Sequence, residues 1–261
     1  MDLDLKGKVA MVTGGSRGLG RAMAEALAAE GMSVSICARD AQAVKAAQAA
    51  LAEIGAKSGA KPAAGFAGDI TNPAEMEKWV AAVARECGRI DVLVNNAGAA
   101  RPGALADLPE SAWQEQFDLN LFAPVRLSRM VAPHLERQGG GSIINIGSIY
   151  GRESGGPLTY NASKAALHSF TKMLAREFAP KGIRVNTIAP GSILVAGGNW
   201  ERRFKENPAF EKDFLAREMP AGRLGRADEV AYAVVMLASP RASWITGANI
   251  PVDGAQGRSI L

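Results

Sequence analysis

The stretch Val9-Ala10-Met11-Val12-Thr13-Gly14-Gly15-Ser16-Arg17-Gly18-Leu19-Gly20 decides the fold. Its first four residues are an apolar run of strand length, and the glycines after them impose a turn. Beyond the turn, Leu19, Met23, Ala26 and Leu27 recur as the buried stripe of a helix that Gly31 is placed to end. Glycine at 14, 18 and 20 lets backbone N–H groups come close to a pyrophosphate at the positive end of that helix. The turn alone also fits an ordinary tight connection. The strand before it and the helix after it supply the context that phosphate binding requires.

Working outward, further strand signals lie at 33–37, 63–67, 91–95, 142–146, 184–188 and 248–252, with helical patterns between them. This alternation predicts right-handed βαβ units: an α/β, doubly wound, Rossmann-like parallel sheet covered on both faces, with ligands bound beyond the carboxyl ends of its strands. One helix is sharply marked. Asn72 can cap it, Pro73 suits its first position, Glu75 sits in its first turn, Met76, Trp79, Val80 and Val83 form one face, and Gly88 follows. Residues 41–64, rich in Ala, predict a surface helix running into a loop.

The 261 residues, 48% of them hydrophobic, can bury one large core, and no Pro/Ser-rich linker or run of like charge divides them, so a single domain over 1–261 is expected. There is no apolar window of about 18 residues, and the charged opening opposes a signal peptide, which leads to the expectation of a soluble, cytoplasmic protein. The net charge of +4 comes without a basic block or aromatic platform, which weighs against nucleic acid, although the excess can help a polyanionic cofactor approach. Cys37 and Cys87 show no metal-ligand spacing and read as reduced structural thiols, so no metal is expected.

The second informative stretch is Tyr160-Asn161-Ala162-Ser163-Lys164. A Tyr and a Lys four residues apart share one helix face. An ammonium beside a phenol favours the phenolate, so the pair is expected to bring the phenol down from about 10 toward neutrality, where it can exchange protons. Such a pair also occurs on ordinary exposed helices.

Together these stretches resemble the short-chain dehydrogenases and reductases, over nearly the whole chain. The residues 13–20 match that family's Thr-Gly-x-x-x-Gly-x-Gly loop, 95–98 its Asn-Asn-Ala-Gly segment, Tyr160 to Lys164 its active-site motif, and Pro190 with Gly191 its later turn. Ser148, 12 residues before the tyrosine, and Asn120 complete the set. The resemblance implies an oxidoreductase that interconverts a ketone or aldehyde with an alcohol. Tyr160 would be general acid and base, with Ser148 donating to the same oxygen. Lys164 would support the tyrosinate and hold the nicotinamide ribose, and Asn120 would anchor a relay water. It further implies cofactor contacts from Gly14, Ser16, Arg17, Gly18, Leu19, Gly20, Asp69, Ile70, Asn96, Ala97, Gly98, Pro190, Gly191 and Ile193, and a homotetramer, or next a dimer. Ala166, Phe170, Met173, Leu174 and Phe178 in the helix after Tyr160 are more apolar residues than one sheet-facing side needs.

Cofactor choice turns on the end of the second strand, where an NAD enzyme of this fold places an acid on the ribose. Here Ala38, Arg39 and Asp40 follow Cys37, and Arg17 lies in the glycine loop. Two guanidinium groups flanking a 2′-phosphate favour NADP, with NAD possible because Asp40 could bond a ribose hydroxyl or pair with Arg39. The chain departs from many relatives in having no Thr between Gly191 and Thr246 to bind the nicotinamide carboxamide, which leaves backbone groups near Ile193 and Val195.

Residues 192–226 correspond to a variable substrate lid and carry Trp200, Phe204, Phe210, Phe214 and Leu215 among Arg202, Arg203, Lys205 and Arg217. They read either as an apolar pocket with a basic rim or as an amphipathic helix pair with a core of its own. Arg101, Tyr150 and Glu153 are further candidates for the pocket wall. The partner implied is a small carbonyl or alcohol substrate. The rival from another class is an idle NADP-binding sensor, which would need the nucleotide loop but not Ser148, Tyr160, Lys164 and Asn120.

Overall fold

The computed structural model describes residues 2–260; Met1 and Leu261, the ends of the expected domain, lie outside them. In chain order the elements are β1 (Val9–Thr13), α1 (Gly18–Ala29), β2 (Ser33–Ala38), α2 (Ala41–Ser58), β3 (Phe66–Ala67), α3 (Pro73–Cys87), β4 (Val92–Asn95), α4 (Glu110–Phe117), α5 (Ala123–Arg137), β5 (Gly141–Ile146), α6 (Leu158–Phe178) and β6 (Ile183–Pro190). They continue with β7 (Ile193–Leu194), α7 (Asn199–Glu206), α8 (Pro208–Glu218), β8 (Gly225–Arg226), α9 (Ala227–Ala238) and β9 (Asn249–Val252).

Seven strands form one parallel sheet in the order β3-β2-β1-β4-β5-β6-β9. β1 is buried along its whole length, as a strand covered on both faces must be. Because side chains alternate along a strand, Ala10 and Val12 join the core under α1, α2 and α9, with Met23, Leu27, Val44, Leu51 and Val234. Val9 and Met11 join the core under α3, α5 and α6, with Met76, Trp79, Leu127, Val131 and Phe178. The chain runs outward one way from β1 through β2 and β3, then returns to β4 on β1's other side. That reversal opens the crevice in which an open α/β sheet binds ligands.

α3 forms as its sequence directs. The Asn72 side chain accepts from the N–H groups of Ala74 and Glu75, a cap worth about 1 kcal/mol, and Gly88 takes the left-handed conformation (φ 73°) that closes the helix. Trp79 on its buried face donates from Nε1 to Ser35 Oγ at 2.9 Å. The expected strand at 63–67 is reduced to Phe66–Ala67. Gly65 runs so close to α2 that an added Cβ would stand 2.7 Å from Val44 Cγ1, so this segment packs on the helix instead of pairing along its length. α2 buries Val44, Ala47, Leu51 and Gly55 on one face.

The small pair β7 and β8 was not expected from the sequence. It joins Ile193 to Gly225 and Leu194 to Arg226, and so seals the root of the hairpin α7–α8. The aromatics of that hairpin form a core of their own. Trp200 and Phe214 lie 4.4 Å apart between ring centres, Phe204, Met219 and Leu224 are buried, and the Arg203 guanidinium sits 4.4 Å over Phe210. Lys205–Glu201 and Arg217–Asp213 are exposed ion pairs one helical turn apart. Among the described residues no helix is long and apolar enough to cross a membrane. Cys37 and Cys87 are free thiols, and burial pushes Cys37 up to about 12.

Candidate active site

The glycine turn meets the sheet at the reversal. Gly14 (φ 66°) and Gly18 (φ 58°) occupy the left-handed region that a side chain disfavours. A Cβ on Gly20 would run into the Gly14 carbonyl and Asn96 Nδ2, so this glycine is what lets α1 pack onto the strand ends. A Cβ on Gly18 would meet only Val195 Cγ1, at 3.5 Å, so the turn is open on that side. α1 starts without a side-chain cap on its N–H groups and without an acid in its first turn. Its unsatisfied donors and positive dipole end therefore fit an anionic group in the crevice. Ser16 is buried in the turn, Leu19 is half-buried, and Arg17 projects from it, exposed.

One hydroxyl fixes the neighbouring turn. Thr13 Oγ1 accepts from the N–H groups of Asn96 and Ala97, each at 2.9 Å, and Asn96 Nδ2 donates back to the Thr13 carbonyl at 2.9 Å. Gly98 follows, where a Cβ would stand 3.0 Å from Asn120 Oδ1 and 3.4 Å from Lys164 Nζ, closer than side chains ordinarily sit. Ile70 is buried, while Asp69 is occupied with Thr71, accepting from its N–H and its hydroxyl at 2.9 Å. Pro190 ends β6, the Gly191 N–H donates to the Val252 carbonyl at 3.1 Å, and Ile193 is buried in β7.

At the end of β2 the structure resolves one alternative left open by the sequence. Among the described residues Asp40 does not pair with Arg39; it caps α2, its Oδ1 accepting from the Ala43 N–H at 3.0 Å. Arg39 is exposed and, like Arg17, forms no ion pair among the described residues.

β5 and α6 bring the proton-handling groups together. Ser148 is buried just past β5, and its side chain hydrogen-bonds the Tyr160 phenol. Lys164 is 4% exposed, donates from Nζ to the Ile146 carbonyl at 2.7 Å, and stands 5.6 Å from the Tyr160 ring centre. The expected lowering of the tyrosine is not found in the chain by itself. Burial, its largest influence, pushes Tyr160 above the ordinary phenol range, the Ser148 hydrogen bond pulls it down, and Tyr150 adds a further upward push. The physical reason is that Lys164 is directed past the ring to a carbonyl, and its own burial lowers it to about 8.

Asn120 lies in a π-helical turn, Asp118–Phe122, inserted between α4 and α5. Its Oδ1 accepts from the Ala99 N–H at 3.1 Å, and its Nδ2 donates to the Ala99 carbonyl and to Ser163 Oγ, both at 3.0 Å. Ser163 Oγ in turn donates to the Tyr160 carbonyl at 2.9 Å. Sequence reasoning missed the π turn, Ser163 as its partner, and His168. His168 continues the face of Tyr160 and Lys164 by one more turn, a spacing that was visible. Its ring lies under Gly147 and Gly151, where any Cβ would strike it, and its Nδ1 is 2.7 Å from Asn249 Nδ2. Burial, then Lys164 and Arg152, hold it down to about 4.

Of the further wall candidates, the Tyr150 ring packs over Gly155 and Gly156, and Glu153 follows it on the same loop. Arg101 is instead spent on the surface in an ion pair with Glu115 at 3.1 Å.

A doubly wound sheet with an open phosphate cradle and a Ser-Tyr-Lys-Asn cluster at its strand ends defines a nucleotide-dependent oxidoreductase site. The chain belongs to the short-chain dehydrogenase/reductase family. The family model described as Enoyl-(Acyl carrier protein) reductase matches residues 14–255. The 3-oxoacyl-[acyl-carrier-protein] reductase FabG of Escherichia coli is 39% identical over 253 residues, covering 97% of this chain and 98% of that protein. The crystal structure of L-sorbose reductase from Gluconobacter frateurii, complexed with NADPH and L-sorbose, superposes with a TM-score of 0.93 at 33% identity over the full length of both chains. A 7α-hydroxysteroid dehydrogenase complexed with NADH and 7-oxoglycochenodeoxycholic acid gives a TM-score of 0.87 at 32% identity, covering 100% of this chain and 98% of that one.

Proposed function

We propose that this protein reduces a ketone or aldehyde to an alcohol with NADPH, and runs the reverse oxidation with NADP. The observation that carries the reading is the convergence of Ser148, Tyr160, Lys164 and Asn120, through the bonds above, beside an uncapped helix start. NADPH, when bound, would supply the hydride that adds to the carbonyl carbon. Tyr160 gives its phenolic proton to the carbonyl oxygen as the C–O bond becomes single, and Ser148 donates a hydrogen bond to the same oxygen. Lys164, lowered to about 8 by burial, would orient the ribose and return a proton toward Tyr160, and Asn120 would anchor a relay water beside it.

The residues Gly14, Ser16, Arg17, Gly18, Leu19 and Gly20 would hold the pyrophosphate side, Asp69, Ile70, Asn96, Ala97 and Gly98 the adenosine side, and Pro190, Gly191 and Ile193 the nicotinamide. NADP over NAD is supported by Arg17 and Arg39, exposed and left to flank a 2′-phosphate, and by Asp40, one carboxylate oxygen of which is engaged as a helix cap. The L-sorbose reductase complex with NADPH supports the same choice.

The hairpin at 192–226 would be the substrate lid, within one domain. A homotetramer is supported by apolar side chains left outside just before α5 and on α6, Phe122 at 39% and Met173 at 63% exposure, although Leu174 and Phe178 of α6 are buried in the chain's own core. A cytoplasmic enzyme without a metal follows from the same reading.

The test is a carbonyl-reduction screen followed by NADPH absorbance, with NADH alongside. Consumption of NADPH with any carbonyl compound of the panel, at a tenfold or greater preference over NADH, supports the reading. Binding of NADPH without turnover across 3-oxoacyl thioesters, ketoses and steroid ketones would favour the idle sensor instead.

A further inference from the structure

The C-terminal segment after β9 makes contacts that the reaction chemistry leaves unused. Asp253 folds it into a compact turn, accepting from the Ala255 N–H on one carboxylate oxygen and from the Gly257 N–H on the other, each at 3.0 Å. Ala255 is held at φ 65°, a left-handed conformation that a residue with a Cβ avoids unless its surroundings impose it. From this turn two side-chain links reach different parts of the site.

The first link goes to the root of the hairpin. Gln256 is 6% exposed, accepts at Oε1 from the Ser192 N–H at 2.6 Å, and donates from Nε2 to Ser192 Oγ at 3.0 Å. Ser192 immediately precedes β7, the strand that seals that root.

The second link goes to the catalytic loop. Glu153 Oε2 accepts from the N–H groups of Arg258 at 2.6 Å and Ser259 at 2.7 Å. Glu153 itself is fastened on the catalytic side: its N–H donates to the Ile149 carbonyl, one residue past Ser148, and its carbonyl accepts from Asn161 Nδ2 at 2.8 Å, one residue past Tyr160. A third contact, Arg258 to Glu218 at 3.2 Å, ties the tail to the end of α8, but both partners are exposed and an exposed pair contributes little. The geometry therefore puts the weight on the buried Gln256–Ser192 pair and on the charge-assisted bonds to Glu153.

We infer that the segment 253–259 is a clasp, with Gln256 and Glu153 as positioning residues that hold the hairpin root in register with the loop carrying Ser148. This rests on the reductase reading for its catalytic consequence, because a clasp that sets the hairpin against the proton donor sets how the carbonyl is presented to it. Glu153 touches no reacting atom in this scheme. It acts through the tail.

The experiment uses the full chain as Glu153→Ala, Glu153→Gln and Gln256→Ala. Amide hydrogen exchange is read with and without NADPH, and steady-state kinetics are measured on the carbonyl compound that the parent reduces fastest. The clasp predicts that Glu153→Ala and Gln256→Ala speed exchange at least tenfold in peptides spanning 192–218, with exchange in β1, β4 and β5 unchanged. It predicts a KM raised about tenfold, with kcat within threefold of the parent. Glu153→Gln, whose amide oxygen still accepts both N–H groups, restores most of each effect. Unchanged hairpin exchange in both alanine variants would overturn the clasp, as would exchange that rises equally in the central strands. Should the parent turn over no carbonyl compound, the reductase reading fails while the exchange comparison still decides the clasp.

Discussion

Lys164 gives a prediction in which stability and function pull apart. In an unfolded chain its ammonium titrates near 10.5, whereas burial lowers it to about 8 in the fold. Below pH 8 the folded protein thus carries a buried charge at a cost on the order of 3 kcal/mol. Between pH 8 and 10.5 the unfolded chain binds the proton and the folded chain does not, so stability rises with pH from this group until the cost is relieved. Lys164→Met removes the charge while keeping the stem's bulk. It also leaves the Ile146 carbonyl without its 2.7 Å donor, a penalty of about 1–3 kcal/mol that does not change with pH. The assay is urea unfolding of parent and variant at pH 7 and pH 10.5, with the difference taken at each pH so that other titrations cancel. The parent should gain up to about 3 kcal/mol on the variant across that interval, and the variant should equal or exceed the parent at pH 7 while losing activity. A parent–variant difference that stays constant from pH 7 to pH 10.5 would refute the reasoning.

The remaining predictions follow from single contacts. Arg17→Ala combined with Arg39→Ala should weaken NADPH binding tenfold or more and leave NADH binding within about twofold in calorimetry, whereas Asp40→Ala should cost about 1 kcal/mol of stability as a lost cap and leave the preference intact. His168 is held neutral down to about 4, while its unfolded form protonates near 6.5, so stability falls as pH drops between those values; His168→Gln should remove up to about 3 kcal/mol of that loss in unfolding measured at pH 7 and pH 4. Met173→Glu replaces an exposed apolar side chain of α6 with a charge and should lower the mass seen by light scattering, a reasoning that fails if the parent is already a monomer.

What the sequence showed, and what it hid, divides by the range of the interactions. The glycine turn and the Asn72-to-Gly88 helix were legible because their determinants lie within one short stretch of sequence each. Strands were legible where apolar runs mark burial on both faces, as in β1 and β4, whereas β3 kept only two of its five expected residues because the segment before it packs on α2. The side of the helix on which Tyr160 and Lys164 meet was fixed by their spacing, but the direction of the tyrosine's shift was not. That depends on depth of burial and on a carbonyl 18 residues away in sequence that takes the Lys164 donor. Asp40 illustrates the same limit: whether an acid after a strand caps the next helix or faces the ligand depends on where the strand stops. The π turn that aims Asn120, and the bonds from Glu153 across 105 residues to the tail, carry no local pattern at all.

The central claim is that Tyr160 delivers the proton, and the most direct test is single-turnover reduction by Tyr160→Phe of the carbonyl compound that the parent reduces fastest. Phenylalanine keeps the ring that packs beside Lys164 and removes only the hydroxyl that meets Ser148. The account predicts NADPH binding within twofold of the parent and a rate of reduction lower by about 10²–10⁴-fold. A variant that binds NADPH and reduces that compound at the parent's rate would contradict it.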